Sequence, residues 1–156
     1  MAKHPADIRL VFKQFPLDTH SQAGFAAEAA LAAHAQGKFW PMHDKLYANF
    51  RDLAPEKINQ LAREAGLDLV RFTMDMKSGK YKAAVQKELD EGVEAGVQGT
   101  PTIFVNGKRY NGPVETGALE EVLQAELKTV PIHAASARTT ASSAASPRAT
   151  PSPQSR

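Results

Sequence analysis

The pattern of apolar and polar positions changes period twice along the chain. Ile8-Arg9-Leu10-Val11-Phe12-Lys13-Gln14-Phe15 is dense in branched and aromatic side chains and stops at Pro16, which predicts one strand of about eight residues. From about Ser21 to Ala35 the chain is crowded with alanine, the strongest helix former, and the run ends at Gly37. Beyond it, Phe39, Met42, His43, Leu46, Tyr47 and Phe50 recur at helical steps, predicting one buried face of a second helix that Trp40 and Tyr47 help to anchor.

Pro55 suits a first helical position, and Ile58, Leu61, Ala62 and Ala65 before Gly66 complete a third helix with a signal at each end. Asp68 is a natural cap for a short helix carrying Leu69, Phe72 and Met76, which ends near Gly79; a longer one follows through Tyr81, Val85 and Leu89 to Gly96. The period then becomes two. Thr102-Ile103-Phe104-Val105, the pair Asn106-Gly107 and Lys108-Arg109-Tyr110 predict a hairpin, because Asn-Gly supplies the two positive-φ residues of a tight turn. Thr116 is placed to cap a last helix bearing Leu119, Val122, Leu123 and Leu127. The order strand, helices, hairpin, helix implies an α/β fold in which the strands share one small mixed sheet, since separated strands would expose unpaired backbone.

Composition narrows this picture. With 42% hydrophobic and 23% charged residues in 156, the chain has the make-up of one globular domain, expected over 1–129. Residues 130–156 are Ala, Ser, Thr, Pro and Arg with almost nothing large and apolar, so they are expected to form a disordered tail. Net charge is +2, and Arg138, Arg148 and Arg156 of the tail account for it; the remainder is near neutral. A balanced surface lacks the basic stripe that phosphate binding needs, so nucleic acid is not an expected partner. No apolar run approaches the roughly 18 to 20 residues of a membrane span, and none near Met1 has the length of a signal peptide.

Candidate chemistry is sparse. The chain has no cysteine, which excludes thiol–disulfide exchange by its own side chains. His4, His20, His34, His43 and His133 do not fall at metal-ligand spacing and read as structural or surface histidines, with His20 bordering a helix start. Asp90, Glu91 and Glu94 sit near a helix C-terminus, where the dipole disfavours them, and read as a solvated face. No phosphate loop, nucleophile elbow or zinc motif appears. No catalytic residue, metal site or cofactor is therefore expected.

Three blocks in order change the weight of these negatives. Val11-Phe12-Lys13-Gln14-Phe15-Pro16-Leu17 with His20, then Gly37-Lys38-Phe39-Trp40-Pro41-Met42-His43-Asp44-Lys45-Leu46, then Gly96-Val97-Gln98-Gly99-Thr100-Pro101-Thr102-Ile103-Phe104-Val105-Asn106-Gly107 together resemble the DsbA-like thioredoxin-fold family of protein disulfide oxidoreductases. The resemblance covers roughly residues 7–128 and implies a truncated thioredoxin-like fold, with a helical insertion between the first strand and the C-terminal hairpin. Read alone, Thr100-Pro101 begins an edge strand, where a missing N–H is harmless. The resemblance instead implies a cis proline at Pro101 and a substrate groove formed by Gly99, Thr100 and Pro101, along which an extended peptide pairs.

The family's first strand, its Cys-X-X-Cys motif and the helix bearing it have no counterpart here, and Met1 falls where the linker after that helix is expected. Members are mainly exported or periplasmic, so the compartment stays open. A fold without that strand is expected to be a marginal domain that closes the gap by direct pairing, borrows a strand from another chain in self-association through exposed sheet edges, or stays partly molten. Two functions follow as expectations: a redox-inactive member or remnant of the oxidoreductase family, or a cysteine-free module binding extended peptides or unfolded protein. A glutathione-using isomerase of similar fold is the weakest reading, since its reactive group belongs on the same missing helix.

Overall fold

The computed structural model of the protein describes residues 7–129, and the tail expected over 130–156 lies outside them. The chain divides into two units, Met1–Tyr110 and Asn111–Arg156. The first contains helices α1 (Ala23–His34), α2 (Phe39–Ala48), α3 (Pro55–Glu64), α4 (Leu69–Ser78) and α5 (Lys82–Glu94), followed by strands β1 (Ile103–Val105) and β2 (Lys108–Tyr110).

The alanine-rich α1 is the hub of this unit and packs against α2, α3, α4 and α5. Small side chains permit that close approach: Ala29, Ala32 and Ala33 have no exposed surface, and Met42, Ile58, Ala62 and Phe72 are sealed against the same core. Burial of each large side chain stabilises the fold by about 1.5–3 kcal/mol. Local signals reinforce the packing. Pro55 opens α3 at its first turn, where a missing N–H costs nothing. The Asp68 side chain accepts from the backbone N–H of Val70 and Arg71 at 2.9 and 3.1 Å, capping α4 as its sequence predicts. Gln36, just beyond α1, exchanges two hydrogen bonds with the Asp68 backbone, which locks the end of one helix to the start of the other.

The hairpin forms with Ile103 opposite Tyr110 and Val105 opposite Lys108. Its turn has Asn106 at φ 49° and Gly107 at φ 80°, the left-handed pair that an Asn-Gly sequence tolerates. Arg109 donates to the Gly96 carbonyl at 2.9 Å, tying β2 to the chain just after α5. In the second unit the described residues form one helix, α6 (Thr116–Thr129), in the region the sequence predicts.

The sheet differs from the expectation in one respect. Among the described residues the sheet is a two-stranded antiparallel hairpin, and Ile8–Phe15 is not one of its strands. No backbone–backbone hydrogen bond among the described residues involves residues 8–16, so the gap is not closed by direct pairing. The physical reason is that strand propensity is local, whereas a ladder requires a partner backbone alongside. Side chains hold the segment instead. Gln14 N–H donates to Glu88 Oε2 at 2.6 Å, and Lys13 pairs with Glu91 at 3.0 Å. Phe15 covers Gly92, where an added Cβ would come within 2.7 Å of the ring.

Candidate functional site

The segment that lacks a strand partner forms one wall of an open groove of about 580 Å3. Phe12, Gln14 and Phe15 line that wall, while the small residues Ala23, Ala26 and Ala30 of α1 form the floor. Leu46, Tyr47 and Phe50 close the far side. The helical periodicity of α2 predicts that Tyr47 and Phe50 are buried, yet they are 62% and 67% exposed, and Trp40 is 42% exposed. Only Met42 and Leu46 of α2 are buried. Its apolar face is real, but half of it looks into the groove rather than into the core.

Thr100 also lines the groove. Thr102 Oγ1 donates to the Gly99 carbonyl at 2.7 Å and closes the loop that carries Thr100 and Pro101, both exposed, with Gly99 half-buried beneath them. The Thr100–Pro101 peptide bond is cis. Gly99 and Pro101 flank the groove residue in the chain without lining the groove themselves. The structure thus brings one of the three expected residues to the cavity wall.

Two residues given no site role by the sequence, His43, read there as structural or surface, and Gln14, also belong to the wall. His43 sits in a ring of aromatic side chains, with centroids at 4.6 Å from Tyr47, 5.0 Å from Phe12 and 5.2 Å from Trp40. Its Nδ1 lies 2.9 Å from Asp44 Oδ1. An ionised carboxylate only accepts, so Nδ1 is the donor in this contact. Gln14 is 6% exposed, and its Nε2 has no hydrogen-bond partner. Such an orphaned amide is costly in a folded protein. The available signal for Gln14 is its place two residues after Phe12, which puts both on the same side of an extended segment.

Charge around the wall is balanced by pairs. The hydrogen bond to Glu91 is the main reason the Lys13 ammonium is held above its ordinary pKa, with Glu88 and Glu91 adding attraction; the same bond draws the Glu91 carboxyl below its own. Away from the groove, Asp75 is nearly enclosed and accepts from Lys80 Nζ at 2.9 Å and Tyr81 Oη at 3.2 Å. The bond from Lys80 outweighs burial and holds the Asp75 carboxyl below the usual range. Of the acidic cluster expected to be solvated, Asp90 meets Gln86, and Glu91 is the partly exposed residue that fixes Lys13. Among the described residues no three of His, Cys, Asp and Glu are grouped to hold a metal ion, and no helix is long and apolar enough to cross a membrane.

Comparison with known proteins places this geometry. A sequence profile described as thioredoxin matches residues 4–125. The solved structure of a thioredoxin-like oxidoreductase from Silicibacter pomeroyi DSS-3 superposes with a TM-score of 0.66 at 29% identity, over 78% of this chain and 69% of that one. Among curated proteins, the chain is 41% identical over 113 residues to Na(+)/H(+) antiporter NhaA 3 of Salinispora tropica, covering 72% of this chain and 17% of the antiporter. It is 35% identical over 119 residues to the NhaA antiporter of Herminiimonas arsenicoxydans, covering 76% of this chain and 19% of that protein. The chain thus spans about a fifth of the length of these curated relatives.

Proposed function

The chain belongs to the thioredoxin family as a thioredoxin-fold, DsbA-like protein, and we propose that it is a redox-inactive member or remnant that retains peptide recognition. The observation that carries this reading is the open, mostly apolar groove with Thr100 in its wall, in a sequence that holds no thiol. Disulfide exchange requires a thiolate nucleophile, and no other side chain here substitutes for it. Recognition of an extended chain needs only exposed backbone and adjacent apolar surface, and both are present.

The test has two arms. In a turbidity assay of insulin reduction by dithiothreitol, the chain leaves the rate at background; acceleration would contradict redox inactivity. Binding of reduced, carboxymethylated protein is detectable by fluorescence anisotropy and is lost in Thr100→Arg, which puts a long cation into the groove wall. Undiminished binding by that variant would remove the groove from the account.

The antiporter relatives favour a second reading of context. The matched segment makes up about a fifth of each of those proteins, so a module of this kind would serve as an extramembrane recognition domain of a transporter. Expression of the chain in cells lacking sodium extrusion would leave salt tolerance unchanged under this reading, because recognition and not transport resides here. Restored tolerance would contradict it.

A further inference from the structure

A second cavity, of about 410 Å3, lies where α1 faces α5, and it shares only Pro16, His20 and Ser21 with the groove. We propose that it binds a primary alkylammonium group, an amine on an aliphatic stem, with Glu28 as the counter-charge. The site depends on neither Thr100 nor the apolar wall around it, so it stands apart from the peptide-recognition reading.

The cavity follows from residue spacing on two helices. Gly24 and Glu28 are one turn apart on α1 and share a face, as Lys82, Val85, Gln86 and Leu89 do on α5. Gly24 contributes no side chain, and a Cβ built there would meet nothing within 4 Å. Glu28 therefore borders open space where a packed neighbour would otherwise stand.

The burial of Glu28 makes that space informative. The residue is only 8% exposed, yet its carboxylate makes no hydrogen bond or ion pair among the described residues. Its oxygens are not sealed off: among the described residues, the side-chain polar atom that is both enclosed and unpartnered is Gln14 Nε2. A carboxylate largely removed from water and without a donor is a costly group. A cation entering the cavity offsets that cost.

The rest of the lining selects the kind of cation. Asp18, exposed at the mouth, is also unpaired. Gln86 commits its Nε2 to Asp90 at 2.8 Å, which leaves its Oε1 to accept. An ammonium has three donors for these acceptors, and Leu17, Val85 and Leu89 offer its stem an apolar wall. A divalent metal ion fits less well, since no three of His, Cys, Asp and Glu are grouped among the described residues to hold one. Lys82 is the cation already present. Its stem folds back over the turn, with side-chain carbons 3.0 Å from where a Cβ on Gly79 would stand, and its ammonium makes no ion pair. It competes with the ligand without neutralising Glu28.

The experiment titrates the full chain with pentylamine and follows backbone amide shifts, with pentanol as the uncharged probe of equal length. Pentylamine moves the amides around Glu28 and Val85, and pentanol binds at least about tenfold more weakly. Glu28→Gln lowers the affinity for pentylamine at least about tenfold while the unfolding midpoint stays level or rises. Gly24→Leu fills the cavity, improves helix propensity and abolishes binding with Glu28 in place. Lys82→Met removes the competitor and tightens binding about threefold. Two further probes, cadaverine and Nα-acetyl-lysine methylamide, separate the sources of the group. Binding of both admits a lysine side chain of a partner, and binding of cadaverine alone assigns the site to free amines. Equal affinity for pentylamine and pentanol, full affinity in Glu28→Gln, or unmoved amides in the parent chain would overturn the proposal. Equal losses of unfolding midpoint in Glu28→Gln and Lys82→Met would also overturn it, by showing that Lys82 already serves Glu28 in solution. Any of these failures leaves the binding of carboxymethylated protein untouched.

Discussion

The helical block and the extended segment beside it are built on opposite principles. In the block, α1 to α4 share a sealed apolar core, Asp68 caps α4, and the Gln36–Asp68 exchange ties the end of α1 to the start of α4. In residues 8–15 there is sequence with strong strand propensity but no ladder among the described residues, and the chain is pinned by one carboxylate on a backbone N–H, the ion pairs of Lys13 with Glu91 and Glu88, and the ring contacts of Phe12 with Phe39 and His43. The block is held by many contacts that no single change removes. The segment is held by a few that can each be cut.

That contrast can be broken most forcefully from the block. Phe72→Ala opens a cavity in the sealed core and lowers unfolding free energy by about 3–5 kcal/mol in urea titration, with the whole first unit unfolding together. Glu88→Ala should cost about 1.5–2 kcal/mol, since it strands the buried Gln14 N–H and removes a charged acceptor; its signature is faster exchange confined to residues 8–15. Gly92→Ala opposes two effects. Alanine adds roughly 1 kcal/mol of helix propensity, but its Cβ would meet the Phe15 ring at 2.7 Å, and relieving such a clash costs about 1–3 kcal/mol. The clash wins, giving a net loss of about 1 kcal/mol and a displaced Phe15 visible in its ring proton shifts.

The smallest effect is one of pH. Asp75 has its pKa lowered in the folded state, first by the hydrogen bond from Lys80. Its contribution is therefore present above the ordinary aspartate value near about pH 4 and is lost as pH falls through the lowered folded value. Asp75→Asn should flatten the acid limb of stability against pH and leave the neutral plateau less high. An acid limb identical to that of the parent would contradict the assignment.

Much of the block was legible in sequence because its signals are local. Pro55 and Asp68 each dictate backbone geometry within a few residues, as Asn106-Gly107 does in the hairpin outside it, and the structure places a helix start, a cap and a tight turn at them. Residues 8–15 were legible only in part, since propensity reports an extended backbone and not whether another strand lies beside it. The same limit hid the groove. A helical period marks Tyr47 and Phe50 as an apolar face without saying whether that face meets the core or a cavity. Thr100 was reached through family resemblance, whereas Gln14 needed the structure, because an amide becomes informative only when its surroundings show that it lacks a partner.

Hydrogen exchange on the monomeric full chain, read amide by amide, tests the central contrast most directly. The account predicts that Ile58, Leu61 and Phe72 exchange only through global unfolding, that Leu10 to Lys13 exchange nearly as free peptide, and that Gln14, bonded to Glu88, is intermediate. Strong protection across residues 8–15 in the free monomer would show a paired strand where none is described, and would contradict the contrast between the two regions.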